Sequence, residues 1–317
     1  MSVYPVVFIV LSYFVWIKCI YYRHRSSLVK SLNRFMNVLT SRDTVGADIR
    51  ALVVTAHPDD ECMFFAPTII RLVELKASVH LLCLSEGNYY NQGAQRKQEL
   101  LNSCAVLGIP DSRITIVDHK KLPDDPKAEW SVSLVSSLIV KHMREHSFNM
   151  VLTFDGSGVS GHANHTAIHK AVSVKKALIL VIDWQVGTSH HCHLLIISLT
   201  TMFASSIFLT CNTALPSIYS YLASTGQVPN DCRLLSLVTV GLFRKYISFL
   251  ELPFSWLLPC SLRCFLGSQG YRQAKDAMYC HRTQLLWFRY LYITMSRYMF
   301  INTFQMIPQG PKNLKIY

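Results

Sequence analysis

Residues Ala51 to Ala56 form an apolar, β-branched run that stops abruptly at His57-Pro58-Asp59-Asp60-Glu61. A run of that length and composition predicts a buried strand. Continuous apolarity, rather than alternation, is the mark of a parallel strand covered on both faces. The polar cluster therefore falls at the strand's C-terminal end, where open α/β sheets place their ligands. His57, Asp59 and Asp60 could supply two metal ligands and a base. The simpler alternative is an acidic turn that caps a helix, which leaves the histidine unexplained.

Strand and helix signals then alternate. Predicted strands cover Arg50–Ala56, Ser78–Ser85, Ile114–Asp118 and Met150–Phe154. Predicted helices cover Thr68–Lys76, with Pro67 at its opening, Ala94–Leu107, stopped by Gly108 and Pro110, and Glu129–His146; another starts near Gly161. This pattern predicts an α/β fold with a Rossmann-like, doubly wound, mostly parallel sheet. In such a sheet the first and fourth strands lie side by side, and ligand binds in the crevice between their C-terminal ends.

The fourth strand runs into Asp155-Gly156-Ser157-Gly158-Val159-Ser160-Gly161-His162-Ala163-Asn164-His165. Its glycines allow tight turns against a ligand. His162 and His165, three apart at a helix start, share one face. Surface histidines at this spacing are common, but two His/acid clusters at adjacent strand ends are harder to attribute to chance. His169 lies a turn further on and reads as a packing or solvated residue. More than three candidate ligands suits a mononuclear zinc site with groups left over for proton transfer, and hydrolysis of an amide or ester is the natural reaction. Paired aspartates also suit a two-metal phosphoesterase, although that chemistry wants more bridging carboxylates.

Before this domain, Val3 to Tyr22 is almost wholly apolar and approaches the length of a bilayer span. Trp16, Tyr21 and Tyr22 suit an interfacial belt, and Lys18 can snorkel. Arg23, Arg25, Lys30 and Arg34 follow the span and no Lys or Arg precedes it, so the rest of the chain is expected in the cytosol. A cleaved signal peptide would carry its charges before the apolar core. Only 16% of residues are charged, against about 25% in ordinary globular chains, which also favours membrane contact. The net charge of +12 comes without a dense basic block or aromatic-basic ladder, so no nucleic-acid partner is expected. The ten cysteines lack a regular framework, and Cys260 and Cys264 form a lone pair without a second half; free, mostly buried thiols are expected.

His57-Pro58-Asp59-Asp60-Glu61 with His162-x-x-His165 resembles the LmbE-like zinc de-N-acetylases. The membrane-anchored PIG-L branch, the N-acetylglucosaminyl-phosphatidylinositol de-N-acetylases, is closer. It is matched by Met63 to Pro67, Arg96 to Leu100, Leu107-Gly108-Ile109, Thr153-Phe154-Asp155 running into Gly158 to His162, Arg244-Lys245-Tyr246, and Cys280 through Arg289. The resemblance implies His57, Asp60 and His165 as ligands of one Zn2+, Asp59 as general base, and His162 as oxyanion stabiliser. It implies that the acetyl group of N-acetylglucosaminyl-phosphatidylinositol is hydrolysed to leave glucosaminyl-phosphatidylinositol and acetate. That is the second step of glycosylphosphatidylinositol-anchor assembly, on the cytosolic face of the endoplasmic reticulum membrane. Asn164 stands where bacterial relatives carry an acid, so Asp155 is the candidate to orient His162.

The expected organisation is an anchor at 1–22, a connector at 23–48, a deacetylase domain at 49–172 and 221–305, and an apolar insert at 173–220 outside the resemblance. The insert, with His190-His191-Cys192-His193 and an apolar stretch from Leu194, reads as a non-homologous segment of an alternative isoform rather than a second span or a metal site. It is expected to interrupt the sheet after the fourth strand. The alternative function is therefore a catalytically impaired, membrane-associated isoform that binds lipid or a partner.

Overall fold

The computed structural model describes residues 4–36, 49–125, 128–173 and 232–307. The insert beyond Ser173 lies outside the described residues. A seven-stranded sheet organises the rest, in the order β3-β2-β1-β4-β5-β7-β6. The strands are β1 (Arg50–Thr55), β2 (Ser78–Cys83), β3 (Ile114–Ile116), β4 (Met150–Phe154), β5 (Arg233–Leu237), β6 (Leu262–Phe265) and β7 (Ile301–Met306). The first five are parallel, and β7 and β6 close the edge antiparallel. β1 and β4 are neighbours, with Leu52 opposite Val151, as the doubly wound pattern predicts.

β1 ends one residue early, at Thr55. The Ala56 N–H leaves the ladder and donates to the Asp60 carboxylate instead (2.9 Å). The expected interruption after β4 is not observed: β5 pairs with β4 from Met150↔Arg233 to Phe154↔Leu237. The central strands are apolar because both faces are covered: Leu52, Val53, Val151 and Leu152 are fully buried.

Helices α2 (Asp60–Phe64), α3 (Ala66–Glu74), α4 (Gly93–Leu107) and α5 (Val132–His146) lie along the first half. Gly108 ends α4 with a left-handed φ of 88°. α5 begins three residues later than expected because Ser131 takes the N-cap, its hydroxyl accepting from Leu134 N. Residues 163–173 form α6. The second half adds the short helices α7 (Leu242–Lys245) and α8 (Leu252–Leu257), then α9 (Ser268–Cys280) and α10 (Trp287–Met295).

The N-terminal helix α1 spans Tyr4–Met36, longer than the expected anchor, because the charged residues after Tyr22 continue it without a helix breaker. Its stretch Tyr4–His24 is long and apolar enough to cross a membrane. Its later turns also belong to the domain. Ile20 packs with Leu252, Phe265 and Ile301, and His24 Nε2 accepts from Phe265 N (3.1 Å). Cys62, Cys83, Cys104 and Cys264 are buried free thiols.

Candidate active site

The switch between β1 and β4 brings the two sequence clusters together. His57, Asp60 and His165 are buried, and the ring of His162 lies 4.9 Å, centre to centre, from those of both His57 and His165. One nitrogen from each of the three histidines falls within 4.8 Å of the others.

Asp60 is the hub. Its Oδ2 accepts from Ala56 N and His57 N, both at 2.9 Å, and its Oδ1 lies 3.2 Å from His165 Nε2. Burial pushes this carboxyl up, but His165 and His57 outweigh it and hold it well below the usual carboxylate range, so Asp60 is ionised. Burial pushes the His57 imidazole down to about 4 and keeps it neutral. His57 Nε2 faces Asp124 Oδ1 (3.1 Å) and Asn164 Nδ2 (3.0 Å), leaving Nδ1 on the Asp60 side. His165 Nδ1 donates to Gly158 O (3.1 Å), and its buried Nε2 faces Asp60; burial pushes the imidazole down, but Asp60 and Gly158 outweigh it and hold its pKa above the ordinary value. Two histidines that each spend one nitrogen on an outer partner and aim the other at a shared carboxylate fit a single divalent metal.

Two residues behave differently. Asp59 adopts a left-handed backbone, φ 112°. Its Oδ2 pairs with Arg289 Nη2 (3.0 Å). Burial raises the Asp59 carboxyl, and Arg289 partly offsets this, the balance of a proton acceptor poised above the ordinary carboxylate range. His162 is half-buried, and its Nδ1 accepts from Asn164 N (3.3 Å), which assigns the proton to Nε2. Burial and His165 lower its pKa, so it is a neutral N–H donor.

The expected role of Asp155 is overturned. Its Oδ1 accepts from Ser157 N, Gly158 N and Thr239 Oγ1, and its Oδ2 from Thr239 N (2.7 Å). It ties the turn after β4 to the segment after β5 and does not hold His162, because its own turn and Thr239 take both its oxygens. Gly158 within that turn has φ +56°, and a Cβ there would come within 2.9 Å of His165 Cβ. His169 Nδ1 bonds Phe154 O (3.0 Å), a packing role.

Several site residues were missed from the sequence. Asp124, after β3, sits at the same end of the sheet as His57, and that position was the available signal. Arg96 Nη1 bonds both Asp124 Oδ2 (2.8 Å) and Gly87 O, and its Nη2 bonds Pro58 O, so one guanidinium holds the motif turn and the carboxylate facing His57. The late stretch from Cys280 to Arg289 had no role in sequence terms. In the fold its His281 Nε2 pairs with buried Glu61 (2.7 Å), its Thr283 donates to Glu99, and its Arg289 reaches Asp59. Of these residues Asp59, Arg96, Asp124 and Arg289 border a cleft of about 790 Å³, whose walls also include Tyr89, Lys245, Tyr246, Trp287 and Leu291.

Fold and site together define a class: a doubly wound α/β protein with a candidate mononuclear His/Asp metal site, a buried carboxylate and an N–H donor at the sheet's switch point. Comparison with known proteins narrows it. Residues 52–175 match the model of the family described as PIG-L, GlcNAc-PI de-N-acetylase. The N-acetylglucosaminyl-phosphatidylinositol de-N-acetylase of Bos taurus is 40% identical over 258 residues, covering 81% of this chain and 83% of that protein. A probable enzyme of the same name from Dictyostelium discoideum is 31% identical, covering 80% and 92%. The chain belongs to the GlcNAc-PI de-N-acetylase family. The fold is also that of N,N'-diacetylchitobiose deacetylase from Pyrococcus horikoshii, with a TM-score of 0.54 at 13% identity over 90% of this chain and 94% of that one.

Proposed function

We propose that this chain hydrolyses the N-acetyl group of N-acetylglucosaminyl-phosphatidylinositol to glucosaminyl-phosphatidylinositol and acetate, with one Zn2+ held by His57, Asp60 and His165. The observation that carries the reading is the division of labour between adjacent aspartates: Asp60 is ionised between two histidines, while Asp59 pairs with Arg289 and has a raised pKa. Zinc, when bound there, lowers the pKa of a water and polarises the acetyl carbonyl. Asp59 takes the proton that the attacking water gives up. His162 Nε2–H donates to the developing oxyanion. As the new C–O bond forms and the C–N bond breaks, Asp59 returns its proton to the leaving amine. Arg289 lowers the pKa of Asp59 against the effect of burial and so favours its ionised form before the first step. Lys245 and Arg289, both on the cleft wall, give the positive charge that a phosphodiester-bearing lipid calls for.

The apolar stretch of α1 and the Arg23, Arg25, Lys30 and Arg34 that follow it support a single-pass protein of the endoplasmic reticulum membrane with its catalytic domain in the cytosol. The intact arrangement of all five site residues favours an active chain over an impaired isoform.

The test is zinc content together with acetate release from the glycolipid by the purified full-length chain. One zinc per chain with turnover is expected; a zinc-replete chain without turnover refutes the reading. Asp124→Asn is expected to weaken zinc binding by about 10–100-fold, because the imidazole of His57 loses the carboxylate that fixes its orientation. Chelator competition measures it, and an unchanged affinity would assign Asp124 to Arg96 alone.

A further inference from the structure

Among the described residues, the exposed large apolar side chains beyond α1 are concentrated in two segments, 242–258 and 286–295. Phe243 (74% exposed), Leu257 (68%) and Trp287 (75%) are representative. Soluble surfaces seldom leave such residues gathered in one place.

The segments are joined to each other and to α1. Ser248 Oγ donates to Thr294 O (3.0 Å), linking the turn at Ser248–Glu251 to α10. Tyr13 donates to Leu250 O, and Phe14 packs on Phe249 with ring centres 6.5 Å apart. Tyr13 and Phe14 lie midway along the apolar stretch Tyr4–His24, most of which is not buried inside the protein. At about 1.5 Å per residue, Tyr13 is roughly 16 Å from His24 along the helix. A bilayer that takes up this stretch must also take up whatever is bonded at the level of Tyr13.

We propose that α7, the Ser248–Glu251 turn, α8 and α10 form a face inserted beside α1 into one leaflet of the bilayer, so that the catalytic cleft opens inside the membrane surface. The cleft shares its walls with this face: Lys245 belongs to α7, and Trp287, Phe288 and Leu291 belong to α10. The substrate then enters from the plane of the membrane with its acyl chains still in lipid. Arg244, at the edge of the face, is paired to the buried Glu251 carboxylate. The direction of substrate entry rests on the proposed function; the insertion of the face does not.

The experiment uses the full-length chain in vesicles of phosphatidylcholine and phosphatidylserine with photoreactive benzoylphenylalanine at Phe243, Leu257 or Trp287. Lys97, on the exposed side of α4, is the control. Adducts with acyl-labelled phosphatidylcholine are expected at the three positions and not at Lys97. Adducts instead with residues 174–230 of the same chain, with a second copy, or with lipid no more than at Lys97, overturn the proposal. A second arm uses Phe243→Glu with Leu257→Glu, neither of which lines the cleft. Turnover of vesicle-embedded glycolipid is expected to fall by about ten-fold or more, because two large apolar contacts with lipid are lost. Turnover of the water-soluble N-acetylglucosaminyl-inositol headgroup is expected to be unchanged; equal losses on both substrates overturn the proposal. If the unsubstituted chain turns over neither, the proposed function fails while the cross-linking arm still decides the membrane face.

Discussion

Asp59→Asn is expected to keep its zinc and lose turnover by between about 100- and 10,000-fold, the usual worth of a general acid–base group. Asp60→Asn is expected to lose both. The two residues are adjacent and chemically identical, so the difference is positional. Both Asp60 oxygens are committed, one to the N–H groups of Ala56 and His57 and the other toward His165 Nε2. An amide can still accept from the backbone, but its NH2 then faces His165, and a donor cannot ligate a cation. Asp59, by contrast, has its carboxylate on Arg289 and its backbone N–H on Glu61 Oε2 (3.0 Å). Removing its charge leaves the His57, Asp60 and His165 set untouched. Metal content and acetate release, measured on both variants, separate the roles. Full turnover in Asp59→Asn, or stoichiometric zinc in Asp60→Asn, would sink the assignment.

His281→Ala should destabilise the domain by about 3–5 kcal/mol, the range for breaking one side of a buried ion pair. Its partner Glu61 is fully buried, accepts from Ser103 Oγ (2.5 Å) and from Asp59 N, and would be left as a buried carboxylate without its cation. Replacing both members, Glu61→Met with His281→Leu, should recover most of the stability. It should not recover turnover, because the Asp59 N–H then lacks the acceptor that supports its left-handed backbone. Thermal unfolding read beside kcat shows the split, and a double variant that regains both would refute the positioning role.

The same pair predicts a pH window. Burial pushes the Glu61 carboxyl up, but His281 and Ser103 more than offset it and hold it below its ordinary 4.5. Burial pushes His281 down, but Glu61 outweighs it and holds the imidazole above its ordinary 6.5. The pair's contribution is therefore complete between about 4.5 and 6.5. It is lost below that window as pH falls through the Glu61 pKa, and above it as pH rises through the His281 pKa. The stability difference between the native chain and His281→Ala should be largest inside the window.

The alternation of buried runs and helix signals was sufficient for the sheet's first half, because strand burial and helix capping are written in neighbouring residues. It placed β1 beside β4, and thus His57, Asp59 and Asp60 beside His162 and His165, from topology rules alone. Asp155 shows where that reasoning stopped. Its position beside the site suggested a partner for His162, yet its oxygens are spent within its own turn and on Thr239, 84 residues away. α1 shows the same limit: its apolar half was legible, but its docking against Phe265, 241 residues from His24, was not.

The sequence by itself determined which groups stand at the strand ends, since a strand's direction and its terminal residues are local properties. Only the tertiary structure decided what each group does. Asp59 and Asp60 differ through Arg289 on one side and His165 on the other, 230 and 105 residues along the chain. Charge and burial act through space and fall off within a few ångströms, so the partners that set a carboxylate's role are chosen by the packing of distant segments rather than by its neighbours in the chain.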